Sequence, residues 1–76
     1  MNLKIGMLAK VKAGHDKNHV YVITAIDEKR ISLADGNSKT VCHPKKKNRK
    51  HIQPMTSIRC EAVTDEEIQA ILKNLF

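Results

Sequence analysis

Aromatic residues are nearly missing from this chain, with one Tyr, one Phe and no Trp in 76 residues. Single-stranded nucleic acid is read by stacking successive bases on aromatic rings, so that mode of binding is excluded. Cysteine is scarce too. Cys42 and Cys60 are too few for the disulfide framework of a small secreted domain, and two free thiols in a reducing cytoplasm fit better. No run of ~18 apolar residues exists to span a membrane. The opening Met1-Asn2-Leu3-Lys4-Ile5-Gly6 has no long apolar stretch of the kind a secretory signal needs. With three glycines there is no Gly-rich phosphate loop, and neither G-x-S-x-G nor H-E-x-x-H occurs. His15-Asp16 could form a dyad, but neighbours of this kind in a polar loop ordinarily cap a turn. The expectation is therefore no enzyme and no cofactor.

Acidic residues are the next shortage. The chain has 14 Lys and Arg against 8 Asp and Glu, a formal net charge of +6. The imbalance is local: residues 1–60 hold 13 bases and 4 acids, a net +9, and residues 61–76 hold 4 acids and one base (Lys73), a net −3. A basic body with an acidic C-terminal appendage calls for a polyanionic partner. No basic amphipathic helix is visible to lie on an acidic membrane, which leaves nucleic acid.

What is there reads as strands. Gly6 to Lys12 alternates, with Met7, Ala9 and Val11 on one face and Leu8, Lys10 and Lys12 on the other. Residues 12–19 form a polar loop whose positive-φ positions are expected at Gly14 and Asn18. Val20–Ile26 is a nearly unbroken β-branched run, and Ile31–Ala34 follows after the charged turn Asp27-Glu28-Lys29-Arg30. Asp35-Gly36 has the composition of a tight hairpin turn, which predicts a fourth strand over 38–43, closed by Pro44. Lys45 to His51 contains no apolar residue and is expected to be surface loop. A short fifth strand, His51-Ile52-Gln53, should stop at Pro54, and residues 55–60 carry no clear pattern. At the end, Thr64-Asp65-Glu66-Glu67 is a capping box, with Val63 and Ile68 at the staple positions. Ile68, Ile71, Leu72 and Leu75 recur at helical spacing, which predicts a helix of about Asp65–Leu75 with an apolar stripe fit for a core.

The reading is an all-β chain of about five strands forming a small barrel over 1–60, with one short C-terminal helix over 61–76 packed on or beside it. A closed barrel would hide the edge strands that a meander leaves open.

These residues resemble a known motif. Gly14-His15-Asp16-Lys17-Asn18, then the apolar Val20–Ile26, then Ile31-Ser32-Leu33-Ala34-Asp35-Gly36 is similar to the KOW motif. Residues 5–53 together resemble the KOW-type large-subunit ribosomal proteins and their small bacterial RNA-binding relatives, the Pro44-Lys45-Lys46-Lys47-Asn48 run and Lys50-His51-Ile52 included. The resemblance implies an SH3-like β-barrel in which the KOW loop touches RNA, here through Lys12, His15, Lys17 and His19. Where the family has a characteristic glycine before the long strand, this chain has Asn18, the residue type other than glycine best able to adopt a left-handed conformation.

Two basic clusters then carry the functional expectation. One is Lys10, Lys12, His15, Lys17 and His19; the other is Lys45, Lys46, Lys47, Arg49, Lys50 and His51, with five Lys or Arg among seven residues and no acid. Such a run repels itself unless a polyanion neutralises it. With a single Arg in the run, bidentate reading of base edges is limited, so the expected mode is Lys-to-phosphate contact with folded RNA. Tyr21, inside an apolar run, is expected to pack rather than stack. Zinc is the competing chemistry for Cys42, His43, His51 and Cys60, but no C-x-x-C or H-x-x-x-H pair is present, and the adjacent Cys42 and His43 would point to opposite faces of a strand. No metal is expected, with Cys42 or Cys60 serving as a small buried hydrophobe. The chain is thus expected to be a cytoplasmic, ribosome- or translation-associated RNA-binding protein, monomeric when free. The alternative is a protein-interaction module whose barrel and acidic helix dock a transcription or translation factor.

Overall fold

The computed structural model describes residues 3–15, 17–59 and 63–75, with backbone course alone for 56–59 and 75. Five strands lie in one antiparallel sheet: β1 (Met7–Val11), β2 (Val20–Ile26), β3 (Arg30–Ala34), β4 (Lys45–Asn48) and β5 (Ile52–Arg59). A 3-10 turn over Arg49–His51 joins β4 to β5, and helix α1 (Asp65–Leu75) ends the described chain. The ladder order is β4-β3-β2-β1-β5, an open sheet in which no ladder joins β4 to β5.

The open sheet is nonetheless strongly curled. Four gaps of ~4.8 Å would set the edge strands about 19 Å apart in a flat sheet. The connector between them is a 3-residue turn, which rises only about 6 Å. The sheet must bend until its edges approach, and a bulge in β2 supplies part of the bend. Ile23 pairs with Leu33 and Ala25 with Ser32, which leaves Thr24 as the extra residue. The bulge also resets the side-chain parity, so that Ile23 and Ile26 face the same side although three residues apart. An almost continuous apolar strand can thereby serve two cores. On the inner side Met7, Ala9, Val11, Tyr21, Ile23, Ile31, Leu33 and Ile52 form one cluster, with Ile26 against it. On the outer side Leu8, Val22 and Ala34 meet Ile68 of the helix.

Helix α1 follows its sequence closely. The Thr64 hydroxyl accepts from Glu67 N–H at 3.3 Å, and Asp65, Glu66 and Glu67 occupy the first turn, where the dipole favours them. Ile68 is fully buried, and Val63, Ile71 and Leu72 pack around the same outer cluster.

Three expectations are corrected. Residues 38–43 are not a strand, because their backbone groups find other partners. The Asp35 carboxylate accepts from the N–H groups of Asn37 and Lys39, both at 2.9 Å, and from the Ser38 hydroxyl. Val41 N–H donates to the Asp65 carboxylate at 2.9 Å, and His43 N–H to Thr40. These bonds make Asp35-Gly36 the start of a longer loop instead of a two-residue hairpin. The basic stretch expected as loop is a strand over Lys45–Asn48 and a 3-10 turn over Arg49–His51. Finally, β5 runs straight through Pro54, which pairs with Ala9. An edge strand has one neighbour, so a residue there can do without its N–H. Of the two cysteines, either of which could have been the small buried hydrophobe, Cys42 is an exposed free thiol; Asp16 and Cys60 lie outside the described residues.

Candidate nucleic-acid interface

The β1–β2 loop is held from within by backbone bonds. Val11 N–H donates to His19 C=O at 2.9 Å and Asn18 N–H to Val11 C=O at 2.8 Å, while Lys17 N–H reaches Gly14 C=O at 3.2 Å. Gly14 sits at φ 90° and Asn18 at φ 76°, the two left-handed positions the sequence predicts. Among the described residues, the bonds that shape this loop from within run between backbone groups. Lys12, His15, Lys17 and His19 are all exposed, and the His19 ring sits 6.3 Å from that of Tyr21, which is buried in the inner core. Burial and the nearby Asp35 carboxylate push the Tyr21 hydroxyl above its ordinary value.

The second cluster lies beside the first. Lys12 N–H donates to His51 C=O at 2.7 Å, directly past the Val11–Ile52 pair. Lys47 Nζ donates to Ala13 C=O at 3.4 Å, and a Cβ on Gly14 would lie 2.9 Å from that same nitrogen. The tip of the first loop is thus braced by a lysine of the second cluster, and glycine is the residue that makes room for it. The two clusters meet at Ala13 and Lys47 although more than thirty positions separate these residues.

The lysines of β4 are not equivalent. Lys45 and Lys47 pair with Leu33 and Ile31, share their side of the sheet and are half-buried; Lys46 pairs with Ser32 and is exposed. A lysine-rich edge strand also guards against edge-to-edge pairing, so part of this run serves the sheet itself. Exposed charge is supplied by Lys46, Arg49 and Lys50, with the exposed His51 beside them. Lys10 stands apart: it pairs with Val20 and Gln53 and shares the parity of Leu8, on the opposite side of the sheet from Val11.

Two bases escaped the sequence reading. Arg49 N–H donates to Lys29 C=O at 3.2 Å, and Arg30 pairs with Asn48, so the β2–β3 turn adds Lys29 and Arg30 to the surface around the 3-10 turn. In the sequence these residues signal only a solvated turn, since nothing local shows that β4 ends against them.

The remaining turn residues, Asp35 and Gly36, belong to another face. Partial burial pushes the Asp35 carboxyl up, but the N–H groups of Lys39 and Asn37, the Ser38 hydroxyl and its own N–H outweigh that and hold it below the usual carboxylate range. Gly36, at φ 78°, accepts at its carbonyl oxygen a hydrogen bond from the Gln69 side-chain amide of α1.

Among the described residues, no group of three or more His, Cys, Asp or Glu is placed to hold a metal ion, and no helix is long and apolar enough to cross a membrane. In comparisons with known proteins, no family model and no curated protein matches this chain.

Proposed function

We propose that this chain is a KOW-type RNA-binding protein with an SH3-like barrel, acting on folded RNA in the cytoplasm as a ribosome- or translation-associated factor. The curled five-stranded sheet with a 3-10 turn between its last two strands is compatible with that barrel. The observation that carries the reading is the bond between Lys12 N–H and His51 C=O. It joins the loop bearing Lys12, His15, Lys17 and His19 to the segment bearing Lys46, Arg49, Lys50 and His51. The bond supports reading the exposed bases of the two segments as one cationic surface, which the chain's few aromatic residues leave without a stacking platform. Its chemistry suits phosphates presented by a folded backbone: lysine and arginine head groups neutralise charge and release counterions, and shape supplies the selection.

Charge reversal tests this directly. The pairs Lys12→Glu with Lys17→Glu and Arg49→Glu with Lys50→Glu should each lower affinity for a structured RNA by about tenfold or more at low salt. Because all four positions are exposed, the thermal midpoint should move by only a few degrees, as befits surface changes worth about 0.5 kcal/mol. Unchanged affinity in both pairs would reject the surface. If partners captured from a lysate persisted after RNase treatment, the chain would instead be a module that docks another protein.

A further inference from the structure

At the far end of β2 from the KOW loop lies a hollow of about 280 Å3, lined by Glu28, Lys29, Asn48, Arg49 and Lys50. Its walls come from two segments about twenty positions apart, and backbone bonds fasten them. Asp27 N–H donates to Arg30 C=O at 2.9 Å and closes one wall; Arg49 N–H donates to Lys29 C=O at 3.2 Å and ties that wall to the other. The Asn48 side-chain oxygen accepts from Lys50 N–H at 2.9 Å, which fixes the amide and leaves its NH2 as a donor. All five side chains are exposed, so the three cationic head groups can turn into the hollow.

We propose that this hollow binds a terminal phosphate monoester, the phosphorylated end of a nucleic acid chain. Three cations and one carboxylate give the site a net +2, which matches the charge of about −1.5 to −2 on a monoester at neutral pH. An internal phosphodiester carries only a single charge. The guanidinium of Arg49 offers the planar fork that fits phosphate oxygens, with Lys29 and Lys50 as point charges beside it. The shape argues the same way. A hollow of this volume admits one phosphate and its sugar but no continuing duplex. Glu28 on the rim repels a second anion and can accept from a sugar hydroxyl. The proposal rests on the nucleic-acid reading above, and places at one end of that surface a site able to count ends.

Two measurements test it. In an amide NMR titration with a nucleoside monophosphate, saturable shifts confined to residues 28–30 and 48–50, abolished by Lys29→Gln with Arg49→Gln, are expected. Shifts spread evenly over all exposed lysines, Lys10 included, would overturn the site. In the second, one RNA hairpin is prepared with a 5′-monophosphate, a 3′-monophosphate or hydroxyl ends. At least one phosphorylated form should bind about tenfold tighter than the hydroxyl form, and the double variant should bind all three forms alike, whatever its overall affinity. Equal affinities for all three forms would reject the RNA end as ligand while leaving the broader RNA-binding reading intact. Saturable binding of the monophosphate together with equal RNA affinities would mark free nucleotide as the source and overturn the proposal as stated. Loss of all RNA binding in the Lys12→Glu, Lys17→Glu protein with the monophosphate shifts preserved would show the two sites to be separable, as expected.

Discussion

Two faces of this small sheet use polar groups in opposite ways. On the helix side four polar side chains have internal partners: the Asp35 carboxylate holds its own loop, Asp65 takes Val41 N–H, Thr64 caps α1 and Gln69 holds Gly36. On the basic side backbone bonds, the Asn48 amide and Lys47 hold the loops, and Lys12, Lys17, Lys46, Arg49 and Lys50 stand exposed. Lys47, donating to Ala13, is a basic side chain given to structure. Substitutions on the first face should therefore read out in stability, and those on the second in binding.

The largest expected effect on the first face is at Gly36. A Cβ there would lie 2.5 Å from the Asp65 carbonyl oxygen, on a backbone at φ 78°. Gly36→Ala should cost about 2–3 kcal/mol, since a left-handed alanine is strained and the helix backbone cannot move aside cheaply. Chemical denaturation would measure this. An unchanged midpoint would mean that the loop is not seated on α1.

Asp35 comes next. Its carboxyl is held below the ordinary value in the folded state, so the bonds it accepts stabilise the protein fully above the unfolded value of about 3.9. That contribution is lost as pH falls through the lower folded value. Asp35→Asn should flatten the acid limb of stability against pH, whereas Asp35→Ala should cost about 1–3 kcal/mol at neutral pH by leaving the loop N–H groups without their acceptor. If both variants unfold in acid like the parent, the carboxylate is not the loop's anchor.

Lys47 sharpens the contrast because it sits between the two categories. Lys47→Met should cost only about 0.5–1.5 kcal/mol in stability, the worth of one hydrogen bond. It should weaken RNA binding more than Lys46→Met does if bracing the loop matters more than one phosphate contact. The reverse order would make Lys47 a direct ligand.

How much of this was legible in the sequence follows from how local each signal is. Helix α1 and strand β2 were readable to the residue, because the capping box, the stripe and the β-branched run each sit within one segment. Gly14 and Asn18 were readable as left-handed for the same reason. The fourth strand was misplaced because a long-range acceptor, Asp65, claims Val41, and no sequence window holds both residues. The Lys45–Asn48 strand was hidden by its composition: three lysines suit a loop or an edge strand equally, and only the pairing with β3 decides. Lys29 and Arg30 were missed as part of the cationic surface because the pairing of β3 with β4 brings them there. The position of α1 was unreadable as well, since an apolar stripe says that a face is buried but not that Leu8, Val22 and Ala34 bury it.

The dependence of RNA affinity on salt tests the central claim most directly. If about five phosphates meet the surface around Lys12, Lys17, Lys46, Arg49 and Lys50, log affinity should fall against log salt with a slope on the order of −4, and each Lys→Gln change on it should reduce that slope by about one. A nearly flat salt response, or a slope unmoved by removing those charges, would contradict the account.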